Sequence, residues 1–277
     1  MTPDYEHLRQ YFAGRPEYNT IARTSAFPEN RMSRLLSVAL VLALSPAVKA
    51  ADDPKEVVAK AIKAHGGEEF LTTHKAAQRR EKGKITLPGM AATDFTAESA
   101  YMLPDKFKQV FEMDIMGMAF VMKSLVVGDK ASVEATVAGQ KIDLGDETTE
   151  AFKDVPHILR VSQLVPLLKD KAFELSLIGE DKVDDKKVVG VRATAKDQKD
   201  VSLFFDKDTG LMLKLEYRTK GPGGAEVTEA RIVKEYAKDK DGVPYAKKSV
   251  VLHDGKTFME AETVEHKYLE KLDDAEF

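Results

Sequence analysis

The stretch KDVSLFFDKDTGLMLKLEYR, Lys199 to Arg218, has a period of two on both sides of a turn. Val201, Leu203 and Phe205 point one way with Ser202 opposite. Leu211, Leu213, Leu215 and Tyr217 then share a side, and Lys214, Glu216 and Arg218 take the other. Side chains alternate across a strand, so the pattern describes two strands, each with one face for a core and one for water. Between them, Asp206-Lys207-Asp208-Thr209-Gly210 supplies turn chemistry and ends in the glycine that a bulged hairpin takes. Half-buried strands joined by a close turn make an antiparallel sheet.

The same alternation extends outward. Upstream, Phe107, Gln109, Phe111 and Met113 form one strand face, and Phe120, Met122, Ser124 and Val126 another. Downstream, Phe258, Val264 and Tyr268 share a parity that Glu260, Glu262 and His266 interrupt. Gly221-Pro222-Gly223-Gly224, Asp239-Lys240-Asp241-Gly242 and His253-Asp254-Gly255-Lys256 are the further turns. Close turns between strands predict a meander rather than βαβ units. Two helical segments frame it. Asp53-Pro54-Lys55-Glu56 reads as a capped helix start, with Val57, Val58, Ala61, Ile62 and Ala64 on or near its apolar side and Gly66-Gly67 at its end. A short second turn is expected over Glu68 to Thr73. Glu147 to Leu168 reads as an apolar helical insert cut into pieces by Pro156 and Pro166, suited to cover the sheet. The expected fold class is mainly β (α+β).

Ahead of this lies MSRLLSVALVLALSPAVKA, Met32 to Ala50. Its apolar centre, Leu35 to Leu44, is too short for a spanning helix, which needs about 20 residues. A basic start at Arg34, the break at Pro46 and small residues at Val48 and Ala50 predict a secretory signal cleaved after Ala50. Residues 1–31 are polar and unpatterned, and read as a mis-set start ahead of Met32. The alternative is a cytoplasmic extension with an uncleaved anchor; N-terminal sequencing separates the two. Residues 51–277 are expected to form a single domain, and the expected location is periplasmic.

Composition narrows the chemistry. The 36 bases and 42 acids that follow Ala50 leave a net charge of −6, which does not suit nucleic acid. There is no cysteine, hence no disulfide framework, thiol nucleophile, thiolate metal site or lipidated N-terminal Cys. The Asp206 and Asp239 loops lack the remaining oxygen ligands of a calcium loop and adjoin strands. The histidines lack metal-motif spacing, and no nucleophile elbow, phosphate loop or dinucleotide fingerprint occurs. No catalytic residue, metal or cofactor is expected. Six methionines, Met90, Met102, Met113, Met116, Met118 and Met122, crowd into 33 residues. Flexible, polarisable side chains of this kind suit an adaptable apolar pocket or an irregular core.

The signal, capped helix, meander and helical cover together resemble periplasmic lipoprotein-localisation carriers of the LolA/LolB type. The strand-turn-strand of residues 199–218 and the final DGVPYAKKSVVLHDGKTFMEAETVEHKYLEKLDDAEF of residues 241–277 look like strands of outer-membrane lipoprotein-sorting relatives, and AIKAHGGEEFL of residues 61–71 resembles the opening of exported bacterial proteins in that wider group. That resemblance implies a curved, incomplete barrel whose concave side holds acyl chains under a helical lid. No position matches the carriers' gating arginine, and none is assigned that role. The bulky faces give the candidate cavity wall: Phe107, Phe111, Met113, Met116, Met118, Phe120, Met122, Leu203, Phe205, Leu213 and Leu215. Lid candidates are Phe152, Ile158, Leu159, Leu164 and Leu167. The expected partners are a lipid or acylated lipoprotein and membrane-protein donors and acceptors, with no nucleic acid, and the expected state is a monomer. The alternative is an exported, non-catalytic structural or interaction module.

Overall fold

The computed structural model describes residues 53–222 and 224–277; the readings of a leader, a signal and a cleavage point fall outside them. Helix α1 (Pro54–Ala64) starts as its sequence dictates: the Asp53 side chain accepts from the Lys55 N–H at 2.8 Å, and Pro54 opens the first turn. The chain turns at Gly66, with φ of 108°, into α2 (Gly67–Thr73). Five strands and a short sixth follow: β1 (Ala76–Ile85), β2 (Thr93–Met102), β3 (Lys106–Ile115), β4 (Met118–Val127), β5 (Lys130–Val137) and β6 (Gln140–Ile142). The helical insert comes next, as α3 (Asp146–Lys153), α4 (Val155–Ser162) and α5 (Val165–Lys169). The chain then runs through β7 (Phe173–Val183), β8 (Lys186–Ala195), β9 (Val201–Asp206), β10 (Met212–Lys220), β11 (Glu226–Lys238), β12 (Pro244–His253) and β13 (Lys256–Leu269).

These strands make one antiparallel sheet in the order β6-β5-β4-β3-β2-β1-β13-β12-β11-β10-β9-β8-β7. It consists of two meanders joined where β1 pairs with β13, and it is not closed into a barrel, since β6 and β7 are opposite edges. Its curvature follows from one helix. α3 packs against β4 and β5 and also against β10. In a flat sheet β4 and β10 would lie about 34 Å apart, at roughly 4.8 Å per strand. An eight-residue helix is only about 12 Å long, so the sheet must bend around it.

The insert breaks where its prolines predict. Pro156 and Pro166 each sit in the first turn of a new helix, where a missing N–H costs nothing. Between α4 and α5, Leu164 adopts φ of 63° and ψ of −44°, and the Val165 N–H reaches the Gln163 carbonyl at 2.7 Å. That γ-turn is strained for a residue with a Cβ, and full burial of the Leu164 side chain holds it in place. The buried Gln163 amide donates to the carbonyls of Leu71 and His74 and so ties the insert to the end of α2.

Two cores result. The larger joins α1, α2, α4 and α5 to the inward face of β7–β10 through Val58, Ile62, Ile158, Leu164, Val191, Leu203 and Phe205. The second covers β1–β5 through Ile85, Phe95, Phe111, Met113, Ile115 and Phe120. On the convex side, Leu272 packs on Ala76 and Ala100. Lys106–Asp274 and Lys108–Glu276 ion pairs, at 2.8 and 2.7 Å, fasten the C-terminal tail there.

Gly83 in β1 shows how tightly the central strands approach: a Cβ there would lie 1.8 Å from the Glu260 carbonyl oxygen and 2.9 Å from the Phe95 ring. Gly83→Ala should therefore cost about 1–3 kcal/mol through forced separation of β1 and β13. Urea denaturation measures it, and an unchanged midpoint would show that the strands have slack at this point.

Candidate functional site

Cross-strand pairing defines the inward face. Thr93, Ile85, Met259, Val251, Arg231, Leu215, Leu203, Val191 and Leu177 are successive partners from β2 to β7. The row starts in one core, ends in the other, and crosses β11–β13 between them. The next row on this face runs Gly83, Ala261, Ser249 and Val233. Over β11–β13 the inward residues Val233, Ser249, Val251, Met259 and Ala261 are only part-buried, whereas Ile85 on one side and Leu215, Leu203 and Val191 on the other are buried. The concave face is thus a trough with packed walls and a partly open floor of small and apolar side chains.

Arg231 is the charged residue in the first row. Its Nε donates to Glu229 Oε1 at 2.6 Å and its Nη2 to the Tyr217 hydroxyl at 3.1 Å. Tyr217 donates to the same carboxylate at 2.7 Å, and His253 Nε2 meets Glu229 Oε2 at 3.2 Å. The contact to an ionised carboxylate makes Nε2 the protonated nitrogen of His253. Burial works against the charge on Glu229, yet Arg231 and the hydrogen bonds outweigh it and hold the carboxyl below the usual carboxylate range. Glu229 is 11% exposed and Arg231 45%, so the acid lies beneath and the guanidinium reaches into the trough. A second pair repeats the arrangement on β1, where Arg79 Nε lies 3.2 Å from Glu81, with the acid again the less exposed. Beyond it, His266 stacks on Tyr245 and meets Tyr268 edge-on at 4.3 Å.

The candidate wall residues separate into groups. Phe111, Met113 and Phe120 join the β1–β5 core with Met118 and Met122 against it. Leu203, Phe205 and Leu215 belong to the other core, under Ile158, Leu164 and Leu167 of the insert. Phe107 is capped by Phe152 of α3, ring centroids 6.3 Å apart. Leu159 is part-buried and outside both cores. Met116 sits at the β3–β4 turn, 79% exposed, and points away from any wall. Leu213 also leaves the set. A register shift at Met212/Lys214 turns it away from Leu215 and into a cluster with Val183, Val188 and Phe204. The shift also places the Lys214 ammonium 3.9 Å over the Phe204 ring. The Asp206 carboxylate accepts from the N–H groups of Asp208 and Thr209, as a turn requires.

Two hollows lie away from this face. One, of about 380 Å³, is bordered by Asp94, Thr96, Glu112 and Asp114, of the parity opposite the core. The other, of about 280 Å³, lies at the rim beside Lys63, Gly66, Leu211 and Pro244.

Arg231, Glu229, Tyr217 and His253 were not among the sequence candidates, because only bulky apolar parity was counted. A signal existed: Arg and Glu at i and i+2 in a strand share a face, and both 79–81 and 229–231 have that form.

No protein-family model and no curated protein matches the chain. Its neighbours among solved structures begin with a DUF1329 family protein from Desulfovibrio piger, 16% identical, covering 81% of this chain and 97% of that one at a TM-score of 0.49. An outer membrane lipoprotein-sorting protein domain from Vibrio parahaemolyticus is 12% identical over 80% of this chain and 95% of its own, with a TM-score of 0.43. A LolA superfamily protein from Nitrosomonas europaea is 10% identical over 81% and 97%, with a TM-score of 0.44.

Proposed function

We propose that residues 51–277 form a single non-catalytic carrier domain of the periplasm. It takes up acyl chains of lipids or acylated lipoproteins in the trough and passes them between membranes, from a membrane-protein donor to an acceptor. The observation that carries this reading is the part-open floor of Val233, Ser249, Val251, Met259 and Ala261 between two packed cores. An acyl chain gains about 0.8 kcal/mol for each CH₂ moved out of water, so a concave apolar floor is what such cargo needs. The walls need not unfold to admit it. α4 and α5 are anchored by Ile158, Val161, Leu164 and Leu167, whereas α3 lies against β4, β5 and β10 and stacks Phe152 on Phe107 without burying any of its own residues. A weakly held element over a hollow is the part that lifts. The Met-bearing wing beside it can adjust to different chains.

Native mass spectrometry of protein taken from the periplasm without detergent should find copurified lipid, and a fluorescent fatty-acyl probe should bind. Phe152→Ala should speed probe uptake on the order of tenfold by loosening α3, with the thermal midpoint little changed, because binding that needs a conformational opening is slow to begin. Stopped-flow fluorescence reads this, and an unaltered rate would assign the gate elsewhere. The second reading, an exported interaction module, rests on the insert already filling the space over β7–β10. Lipid-free preparations that ignore acyl probes, in wild type and Phe152→Ala alike, would select it.

A further inference from the structure

We propose that the cargo is an anionic amphiphile whose oxyanion, carboxylate or phosphate, seats end-on against Arg231 while its chain lies along Val251, Met259 and Ala261. This inference rests on the carrier reading and narrows it.

A guanidinium has five N–H groups, and the described residues engage one on Nε and one on Nη2. The end-on edge formed by Nη1 and the rest of Nη2 remains, on a side chain that is 45% exposed. That edge matches the two oxygens of a carboxylate or phosphate. Glu229 fixes the guanidinium from below, and Tyr217 and His253 fix Glu229 in turn, so the fork is pre-oriented before any cargo arrives. Its cross-strand partners are Val251 and Leu215, so head group and chain meet on one floor.

Neutral cargo fits poorly. An acyl chain covering the floor would strip water from the free N–H groups of Arg231 and leave them without acceptors. An anionic head supplies the acceptors. The trough thereby selects against uncharged amphiphiles.

Displacement of the acyl probe from the full chain at pH 7.5 tests this. Hexadecanoate and hexadecyl phosphate represent the anionic class, hexadecanol the neutral one, and acetate and inorganic phosphate the head groups alone. The anionic amphiphiles should compete about tenfold better than hexadecanol, the scale of one charge-assisted contact. Arg231→Gln should bring that ratio to about one. Should the single variant fold poorly, Glu229→Gln with Arg231→Gln removes both charges together and should give the same ratio. Equal competition by hexadecanoate and hexadecanol in wild type would overturn the inference and leave the carrier reading standing. A preference that survives in folded Arg231→Gln would overturn it as well. Displacement by acetate or phosphate alone would make the ligand a free anion rather than an amphiphile. Failure of every acyl ligand, the probe included, would remove the carrier reading and this inference with it.

Discussion

Replacing His266 by phenylalanine should remove about 3 kcal/mol from the fall in stability that the wild-type protein undergoes between pH 6.5 and about 4, a fall that His65 and His157 share because burial lowers their pKa values too. Burial among Tyr245, Tyr268 and the strand backbones disfavours the imidazolium. Arg79, its cross-strand partner, disfavours it further, and Asp239 offsets this only in part, so the pKa is pushed from 6.5 down to about 4. The sign follows from proton counting. Between those two values the unfolded chain binds a proton at this residue and the folded chain does not, so stability drops as pH falls across the window. At 1.36 kcal/mol per unit the loss reaches about 3 kcal/mol. His266 Nε2 is buried without a hydrogen-bond partner among the described residues, so phenylalanine keeps the ring stack and strands no polar atom. Urea midpoints measured at intervals from pH 7 to 4 decide the matter: a variant whose curve follows the wild type would show that His266 charges freely when folded. Glu229 acts in a separate window. Its carboxyl is held below the usual range, so the stability it contributes is complete above about pH 4.3 and is lost only in stronger acid.

A larger loss is expected from Phe205→Ala, about 3–5 kcal/mol. The ring is fully buried in β9, beneath the insert and beside Val189 and Leu203. Its removal leaves a void that helices anchored through Leu164 and Gln163 cannot easily fill. Chemical denaturation should show a much lower midpoint at an unchanged m-value. Met116→Ala, at the exposed turn, should leave the midpoint within about 0.5 kcal/mol of wild type. A cost below about 1 kcal/mol for Phe205→Ala would mean that the core under the insert is loosely packed. The contrast also cautions against reading function from this position, since a polar residue at Phe205 would unfold the wing before it could report on cargo.

The meander, its turns and the proline-cut insert were legible because each rests on local chemistry: alternation, Asx and Gly turns, and the helix-breaking of Pro156 and Pro166. Bulges were not. Period-two reading assumes one residue per step, and at Met212/Lys214 the extra residue moves Leu213 off the inward face. The last strand fails for the same reason. Phe258, Val264 and Tyr268 were expected on one side. Register shifts at Val251/Leu252 and at Arg80/Glu81 instead place Met259, Ala261 and Thr263 inward, then His266 and Tyr268, with Val264 left 44% exposed. A mixed parity is what two bulges look like before the partner strand is known. The apolar walls of the site could be read, but their split into two cores could not, because it depends on how far the sheet bends around α3. The polar cluster around Arg231 lay in plain sequence view, and its inward direction needed the register of three strands.

The pairing of β1 with β13 has a consequence for biosynthesis. The chain is made and exported N-terminus first, and β1 ends at Ile85 whereas the partner that completes it begins at Lys256, so this middle strand spends that interval as a bare edge. Bare edges recruit wrong partners, and charge is the usual guard. Gln78-Arg79-Arg80-Glu81-Lys82, unusually ionic for the centre of a sheet, makes sense as protection for a strand kept waiting.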